Sequence, residues 1–457
     1  MASSVAARCT RSEQAAPVLA NAAVTPAVTR LLGVDAYGVV SIGIVVMQIG
    51  MMVSGLGMSS VITRQGLLGR SGQDGARSLM VRAVTITSLL VGSVVLLSPL
   101  WNQALATDLR RAVVIALLTA ACYVAVEDSQ AMLRVLDRPL PFVGLSLIST
   151  LGGPLLGLTL VARHATPERY LLGMLGGYAV AALVGLTVTL RSGPHHHEAG
   201  DTRTALRMGL PMLPHMVAIF AANGGLLVVA GALFDRAQVA RLSVAMLLGM
   251  APGVVTAAMN NSWGPTVYRA AQSERAEVLE HTAVDVAYLA ATMASGVSLL
   301  SPWLLRLAAG ADFQPAQLAP QVGIVAFGTI LSVGYLGNVH LVFASGRTFG
   351  LSITTPTALA VGLASAAALS QLDVRLLAVG FPVTYAGMFL GAGWLAHRVS
   401  GVHWHMRVLV PPMVLGGAMC ALGALLPTSG GVSLVRIACV VALGAFALKR
   451  VHLVIRR

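Results

Sequence analysis

The sequence predicts an all-α polytopic membrane protein with about 14 transmembrane helices. The mean hydropathy of the 457 residues is +0.80, and 56% of them are apolar. Only 10% are charged, whereas about 25% is usual for a soluble protein. The apolar residues form runs of roughly 20, which is the length that a membrane-spanning helix needs. These observations exclude a soluble globular protein, a disordered chain and a disulfide scaffold.

Most of the predicted spans are runs without Asp, Glu, Lys or Arg. These strong spans are residues 36–63, 83–101, 141–162, 170–190, 208–234, 242–263, 286–305, 319–344, 351–370, 376–396 and 408–426. Three further spans are weaker. Residues 15–32 are short and rich in Ala, Asn and Thr, residues 112–133 contain two carboxylates, and residues 432–450 contain Arg436. An even number of spans predicts that both termini lie on the same side of the membrane.

The basic residues predict which side that is. All 30 are Arg except Lys449, and they are scattered singly in short loops. With 14 spans, 20 of them fall on the side of the termini and 10 on the other side. Positive charge is retained in the cytoplasm, so we expect both termini to be cytoplasmic, in the cytoplasmic membrane of a bacterium. The net charge of +13 then reflects an anionic leaflet, and we expect no nucleic-acid partner.

Two stretches of the chain follow the same plan and indicate an internal repeat. Each consists of a helix end, a turn with an Asp and a long span, and they end at Arg64 and Arg269. The offset of about 205 residues corresponds to six spans. Parallel repeats of this kind bind substrate near the midplane. We therefore predict an N-lobe at residues 1–200, a C-lobe at residues 201–400, and two additional helices at residues 401–457.

Several segments, in their order and spacing, carry a resemblance to a known family. They are TRLLGVDAYG (29–38), GLPMLPHM (209–216), ARLSVA (240–245) with WGPTVYR (263–269), SPWLLRLAAGADFQPAQLAP (301–320) and GNVHLVFASGRT (337–348). Together they resemble the polysaccharide flippases of the multidrug/oligosaccharidyl-lipid/polysaccharide exporter superfamily. The pieces are scattered over most of residues 25–350.

The resemblance implies a transporter with no enzymatic activity. Such a protein flips a polyprenyl-diphosphate-linked oligosaccharide across the cytoplasmic membrane by alternating access, for export of exopolysaccharide, capsule or O-antigen. Its partners would be this lipid-linked glycan, the bilayer and other membrane proteins of polysaccharide assembly. No cofactor is expected, and coupling to a H⁺ or Na⁺ gradient is left open.

Polar residues inside or at the ends of the spans are the candidates for substrate contact. A charge at the bilayer centre costs roughly 2.5–3.5 kcal/mol, so ionisable residues there are rarely idle. Arginine suits a diphosphate because its planar fork donates paired hydrogen bonds, and amides, histidines and carboxylates suit a sugar. The candidates are Arg30, Arg64, Arg82, Glu127, Asp128, Gln130, Arg134, His215, Asn223, Asn260, Asn261, Asn338 and His340.

Each candidate also has a structural interpretation. The arginines near span ends are often interface anchors, and amides or histidines within spans often form interhelical hydrogen bonds. Glu127 and Asp128 are adjacent, so their side chains point about 100° apart and at most one faces a cavity squarely. The three adjacent histidines at residues 195–197 lack the spacing of a metal site, and we predict no metal ligands.

Other functions compete with the flippase. An ion-coupled multidrug exporter of the same fold would use one acidic site in the first lobe, for which Glu127 or Asp128 qualifies. A lipid II flippase would differ mainly in its sugar. A membrane enzyme would need a large external loop or a DxD motif, and the external loops here are short and contain no such motif. A degenerate, non-transporting relative is the fourth alternative.

Overall fold

The computed structural model describes residues 15–68, 71–191, 213–427 and 430–455. Some side chains within these ranges, that of Asn261 among them, are not described. The polar linker around residues 192–203 lies outside these ranges. Every regular element in the described part of the chain is helical, as the composition predicts. The α-helices are α1 (Ala15–Gly55), α2 (Met58–Leu68), α3 (Gly72–Leu96), α4 (Thr107–Val135), α5 (Pro139–Arg163), α6 (Pro167–Leu190), α7 (Leu213–Leu233), α8 (Arg236–Gly249), α9 (Ala251–Arg269), α10 (Arg275–Ala308), α11 (Pro315–Ser345), α12 (Leu351–Ser370), α13 (Gly380–Val399), α14 (Val410–Leu425) and α15 (Gly430–Ile455), with a single turn at Ser98–Trp101.

The chain divides into two compact units, Met1–Phe220 and Ala221–Arg457. In the first unit, α4 packs against α1, α2, α3, α5 and α6. In the second unit, α11 packs against α8, α9, α10, α13 and α14, and α12 packs against α13. Helix α4 is therefore surrounded by the other helices of the first unit, and α11 by those of the second unit.

The number of membrane spans agrees with the predicted fold class. By length and composition, 12 of the described helices are able to cross a membrane, or 13 if the bent pair α8 and α9 forms one span. The difference from 14 lies at the start of the chain, where residues 15–32 and 36–63 are predicted as two spans. The two segments are present there as the two halves of α1, which meet at a kink at Gly33 (φ 73°, ψ 176°) and together make up one of the 12 spans. Glycine tolerates this conformation because it has no Cβ.

The second predicted span is broken, and the third begins earlier than predicted. Between α1 and α2, Leu56 and Gly57 both adopt positive φ, at 50° and 67°. Helix α3 begins at Gly72, whereas the charge-free run begins only at residue 83. Arg82 therefore lies ten residues into its helix, whereas the charge-free run begins only after it. Charged residues near the start of α3 are tolerated because Arg77, which is buried, pairs with Asp74 at 3.2 Å.

Helices α5 and α6 cross at a surface made of glycines. A Cβ added to Gly173 would lie 2.2 Å from the backbone Cα and N of Gly157, and a Cβ added to Gly177 would lie 2.2 Å from the backbone N of Gly153. Small residues at i and i+4 allow helix backbones to approach closely in a membrane, where van der Waals contact drives association. The crossing holds α5 and α6 next to α4.

The two C-terminal helices are attached to α10 through arginines of α15. Arg436 is fully buried, and its guanidinium donates to the carbonyls of Leu299 (2.8 Å), Gly423 (2.9 Å) and Leu426. Near the other end of α15, Arg450 pairs with Asp285 at 2.7 Å and lies 4.0 Å from the ring centroid of a tyrosine on α10. The sequence places Arg436 near the start of a weak span, and nothing in its pattern shows this burial.

Candidate functional site

The interior of the first unit is organised by α4, a 29-residue helix. Its sequence from Ala112 to Val126 is rich in Ala, Val and Leu, which suits a helix packed on several sides. Glu127 and Asp128 follow this apolar run, and Asp128 lies seven residues before the end of the helix, which corresponds to about 10 Å. Arg134 lies in the last turn, where the helix dipole favours a cation.

Asp128 is buried with an unmatched oxygen atom. It is 1% exposed, and its Oδ2 atom has no hydrogen-bond partner among the described residues. Val124 and Val135 lie on the same face of α4 as Asp128. Val124 packs close to Gly55 at the end of α1, and Val135 packs onto Gly66 of α2. Asp128 therefore faces the segment in which the helix is broken between α1 and α2.

A second unmatched polar atom, Ser54 Oγ, lies next to the break. The carbonyl of Ser54 accepts a hydrogen bond from Thr87 Oγ1 of α3 at 2.9 Å, while Ser54 Oγ is buried without a partner among the described residues. Arg82, which is half-buried, lies beside the break. A cavity of about 10 Å³ is lined by Ser54, Leu56, Met58, Arg82, Ala83, Ile86 and Thr87. This space fits about one water molecule and no more.

The remaining polar residues of α4 turn away from this face. Gln130 Nε2 donates to Ser146 Oγ of α5 at 2.9 Å, and the exposed Arg134 lies 5.7 Å from the ring centroid of Phe142. Glu127 is half-buried, one turn after Tyr123, whose ring contacts that of Tyr178 on α6 at 5.1 Å. Of the four candidate residues on α4, only Asp128 therefore faces the broken helix.

The arginines at the ends of the first spans are exposed. Arg30 donates to the carbonyl of Pro26 at 2.8 Å, one turn earlier in α1. Arg64 lies in the last turns of α2 with its side chain exposed. Both positions agree with interface anchoring, and neither brings its guanidinium to Asp128.

In the second unit, the polar candidates form interhelical contacts. Asn338 of α11 is 1% exposed, accepts a hydrogen bond from Trp404 Nε1 at 3.0 Å and donates to the carbonyl of Gly334 at 3.0 Å. His340 is buried and lies edge-on to the Trp263 ring at 5.2 Å. These contacts match the structural interpretation, in which amides and rings connect helices.

The remaining polar candidates lie on α7 and α9. Asn223 of α7 accepts a hydrogen bond from the Tyr385 hydroxyl of α13 at 3.3 Å. His215 is buried near the start of α7, and Asn260 is half-buried with its Oδ1 unmatched among the described residues. The side chain of Asn261 lies outside the described part of the chain. Asn338 and His340 thus lie on α11, Asn223 lies in the part of α7 that belongs to the second unit, and His215 lies in the part that belongs to the first unit.

Sequence reasoning missed several residues that the structure places near the candidates. Ser54 and Thr87 connect α1 to α3 at the break, and Tyr178 contacts the ring of Tyr123, one turn before Glu127. A usable signal was present at residues 54–57, where Ser-Gly-Leu-Gly interrupts an otherwise apolar span. Glycines inside a spanning helix mark either close packing or a break.

The comparisons with known proteins identify the family. The profile of the family described as polysaccharide biosynthesis protein matches residues 18–270, which is more than half of the chain. The chain belongs to the polysaccharide biosynthesis protein family. No curated protein matches the chain significantly.

Solved structures show the same fold at low sequence identity. The lipid II flippase MurJ in an inward closed conformation has a TM-score of 0.67 at 13% identity, with 99% of this chain and 100% of that chain covered. An inward-facing multidrug resistance MATE family transporter of the MOP superfamily has a TM-score of 0.66 at 17% identity, with 84% of this chain and 95% of that chain covered. This member of the polysaccharide biosynthesis family is therefore a multi-pass membrane protein with the fold of MOP transporters, as the resemblance predicts.

Replacing Asn338 by alanine is expected to lower the stability of the second unit. The substitution leaves Trp404 Nε1 buried without its acceptor, which costs about 1–3 kcal/mol. The expected result is a lower melting temperature in detergent. Asn223→Ala serves as a matched control, because its hydrogen bond is longer and Asn223 is only half-buried. Equal melting of the two variants would show that the Trp404 contact does not stabilise the fold.

Proposed function

We propose that this protein flips a polyprenyl-diphosphate-linked oligosaccharide across the cytoplasmic membrane by alternating access, for the export of a surface polysaccharide. The observation that carries the proposal is the match of residues 18–270 to the polysaccharide biosynthesis family. The fold adds support, because its relatives among solved structures are transporters and a flippase, which also favours a non-enzymatic role. The lobes would be residues 1–200 and 201–400, with residues 401–457 as an addition and both termini in the cytoplasm.

The extent of the structural likeness favours a flippase over a drug exporter. The lipid II flippase structure aligns with 99% of this chain, whereas MATE structures align with 84% and 88% of it. The family match favours a polysaccharide precursor over lipid II, since the profile is that of polysaccharide biosynthesis.

The chemistry of the first unit suits this task. A diphosphate must be shielded from hydrocarbon by cations and hydrogen-bond donors, and Arg82 and Arg64 lie on the helices next to the break. Sugars need amides and carboxylates, and Gln130 and Glu127 supply these on another face of α4, away from the break. The partners in this proposal are the lipid-linked glycan, the bilayer and other membrane proteins of polysaccharide assembly.

Deleting the gene is expected to abolish surface polysaccharide and to leave lipid-linked intermediates on the inner leaflet. Both are measured by surface glycan staining and by extraction of polyprenyl-linked sugars. Complementation with Arg82→Ala or Glu127→Ala is expected to restore less than a tenth of the export at normal protein level. Complementation with Arg398→Ala, an exposed arginine on α13, is the control and is expected to restore export. Normal surface glycan with increased drug sensitivity would support the exporter instead, and arrest of peptidoglycan synthesis would support a lipid II flippase.

A further inference from the structure

The hairpin between α10 and α11, residues 309–314, lies beside a cavity of about 450 Å³. In the proposed topology this hairpin is on the side of the membrane opposite the termini, where the glycan arrives after it has crossed. We propose that the cavity binds an acidic sugar of that glycan, that is, a sugar that carries a carboxylate. This inference rests on the proposed function and adds to it a second site and the chemical class of one sugar in the substrate.

The hairpin is held in one conformation by contacts with the rest of the second unit. Phe313 is 0% exposed and anchors the hairpin in the helices beneath it. Gln314 adopts a left-handed conformation (φ 53°, ψ 58°), and its carbonyl accepts a hydrogen bond from the backbone N–H of Gln317 at 2.9 Å. Arg241 of α8 donates to the carbonyl of Asp312 at 3.5 Å. A cavity that is already formed costs little ordering when a ligand binds.

The lining of the cavity combines a cation with amides. Its polar side chains are those of Arg306, at the end of α10, and of Gln314 and Gln317, and its other described residues are alanines and a proline. None of the described lining residues is Asp or Glu. The guanidinium of an arginine pairs with a carboxylate through two parallel hydrogen bonds, and amides donate to and accept from hydroxyl groups. The volume lies in the range of roughly 300–1,000 Å³ that is usual for small-ligand sites.

A buried glutamine one turn below the cavity is a second, independent observation. Gln321 follows Gln317 by four residues, so the two side chains lie on the same face of α11. Gln321 is only 4% exposed, and its Oε1 atom has no hydrogen-bond partner among the described residues. A buried acceptor without a donor is costly, and packing alone does not require an amide there. The hydroxyl group of a sugar in the cavity supplies the missing donor.

The same residues favour a carboxylate over the phosphate of a lipid head group. Arg306 is the one cation among the described lining residues, which matches a single negative charge. The acceptor atom of Gln321 needs an O–H donor, and an ionised phosphate diester has none. A sugar acid has both groups, since it carries one carboxylate and several hydroxyls. Arg306 also disfavours a cationic ligand in this cavity.

Calorimetric titration of the full-length protein in detergent tests the site directly. The probe is an oligosaccharide of alternating glucuronate and N-acetylglucosamine, compared with the same oligosaccharide after its carboxylates have been reduced to alcohols. The acidic form is expected to bind about tenfold more tightly or better, and Arg306→Gln is expected to remove this preference. Arg375→Gln, which changes an exposed arginine between α12 and α13 on the same side of the protein, is the control and is expected to bind like the wild type. Equal binding of the two probes by the wild type, or displacement of the acidic probe by an equal concentration of inorganic phosphate, would overturn the proposal.

Gln321→Met separates a ligand contact from a structural role. Methionine is similar in size and removes an acceptor that no described donor uses. The variant is therefore expected to melt at the wild-type temperature or higher, while the acidic oligosaccharide binds several-fold more weakly. A lower melting temperature with unchanged affinity would show that Gln321 belongs to the packing of α11, and it would overturn the assignment of this residue to the site.

The composition of the surface glycan distinguishes this inference from the proposed function. The glycan that gene deletion removes is expected to contain a sugar acid, as measured by chromatography after hydrolysis. Loss of a glycan that is entirely neutral would overturn the inference and would leave the proposed function intact. Normal surface glycan after deletion, together with acidic binding that depends on Arg306, would overturn the proposed function and would leave the cavity as a site for a sugar acid.

Discussion

Replacing Arg436 by methionine is expected to release the C-terminal helix pair α14–α15 and to lower the free energy of unfolding by about 3 kcal/mol or more. The arginine is 0% exposed and donates to three carbonyls, of Leu299, Gly423 and Leu426. Two of these belong to the end of α14, where backbone carbonyls lack helical partners and the dipole favours a cation. Methionine fills the space but donates nothing, so the carbonyls of Gly423 and Leu426 at the end of α14 remain without a donor.

The native cysteines offer a local measurement of this effect. Cys420 of α14 is 2% exposed, and its carbonyl accepts a hydrogen bond from Ser298 of α10 at 2.9 Å. In Arg436→Met, Cys420 is expected to react with a maleimide many times faster than in the wild type, as read by mass spectrometry of the peptide. Lys449→Met, which removes an exposed charge from the same helix, is the matched control and is expected to leave Cys420 protected. Equal protection in both variants would contradict the role of Arg436.

Replacing Gly173 by alanine is expected to destabilise the first unit by about 1–3 kcal/mol. The added methyl group would lie 2.2 Å from the backbone of Gly157, and backbone atoms move only if the whole helix moves. Helices α5 and α6 must then separate, which also disturbs the contacts of both with α4. The measurement is the melting temperature of the protein in detergent, together with surface glycan export.

A glycine on the same helix pair gives a control with the opposite sign. A methyl group added to Gly144 of α5 meets nothing within 4 Å. Alanine favours a helix over glycine by up to about 1 kcal/mol, so Gly144→Ala is expected to be neutral or slightly stabilising. If both variants melt at the same temperature, the close approach of α5 and α6 at Gly173 and Gly157 does not determine stability.

The span pattern illustrates what a sequence reveals about a membrane protein. Hydrocarbon has no water to satisfy backbone polar groups, so each spanning segment of this chain is a long apolar helix. The runs of apolar residues in the sequence therefore mark the spanning helices directly. The fold class and most helix positions are therefore confirmed. The breaks at Gly33 and at Leu56–Gly57 are not visible in the same way, because glycine in a span serves close packing as often as it serves a break.

The candidate residues show where such reasoning ends. The sequence identifies Glu127, Asp128, Gln130 and Arg134 as unusual because each is polar in or next to an apolar run, and that cost is a property of the chain alone. Their partners lie on other helices, at separations along the chain that no local pattern specifies. Gln130 bonds to Ser146 and Asn338 bonds to Trp404, whereas Asp128 Oδ2 has no hydrogen-bond partner within the described part of the chain.

By itself, the sequence determined that this protein is embedded in a bilayer, where most of its spans lie and which polar residues they contain, because lipid imposes one requirement on every span. Only the tertiary structure decided what each polar residue does. Arg436 is an example. An arginine at the end of an apolar run is an exposed interface anchor in one arrangement of helices, and in another it is buried and hydrogen-bonds to carbonyls of neighbouring helices. Here α15 packs on α10 and α14, and three carbonyls converge on the guanidinium. Such convergence depends on the orientation of helices around their axes, which tertiary packing sets and hydropathy does not record.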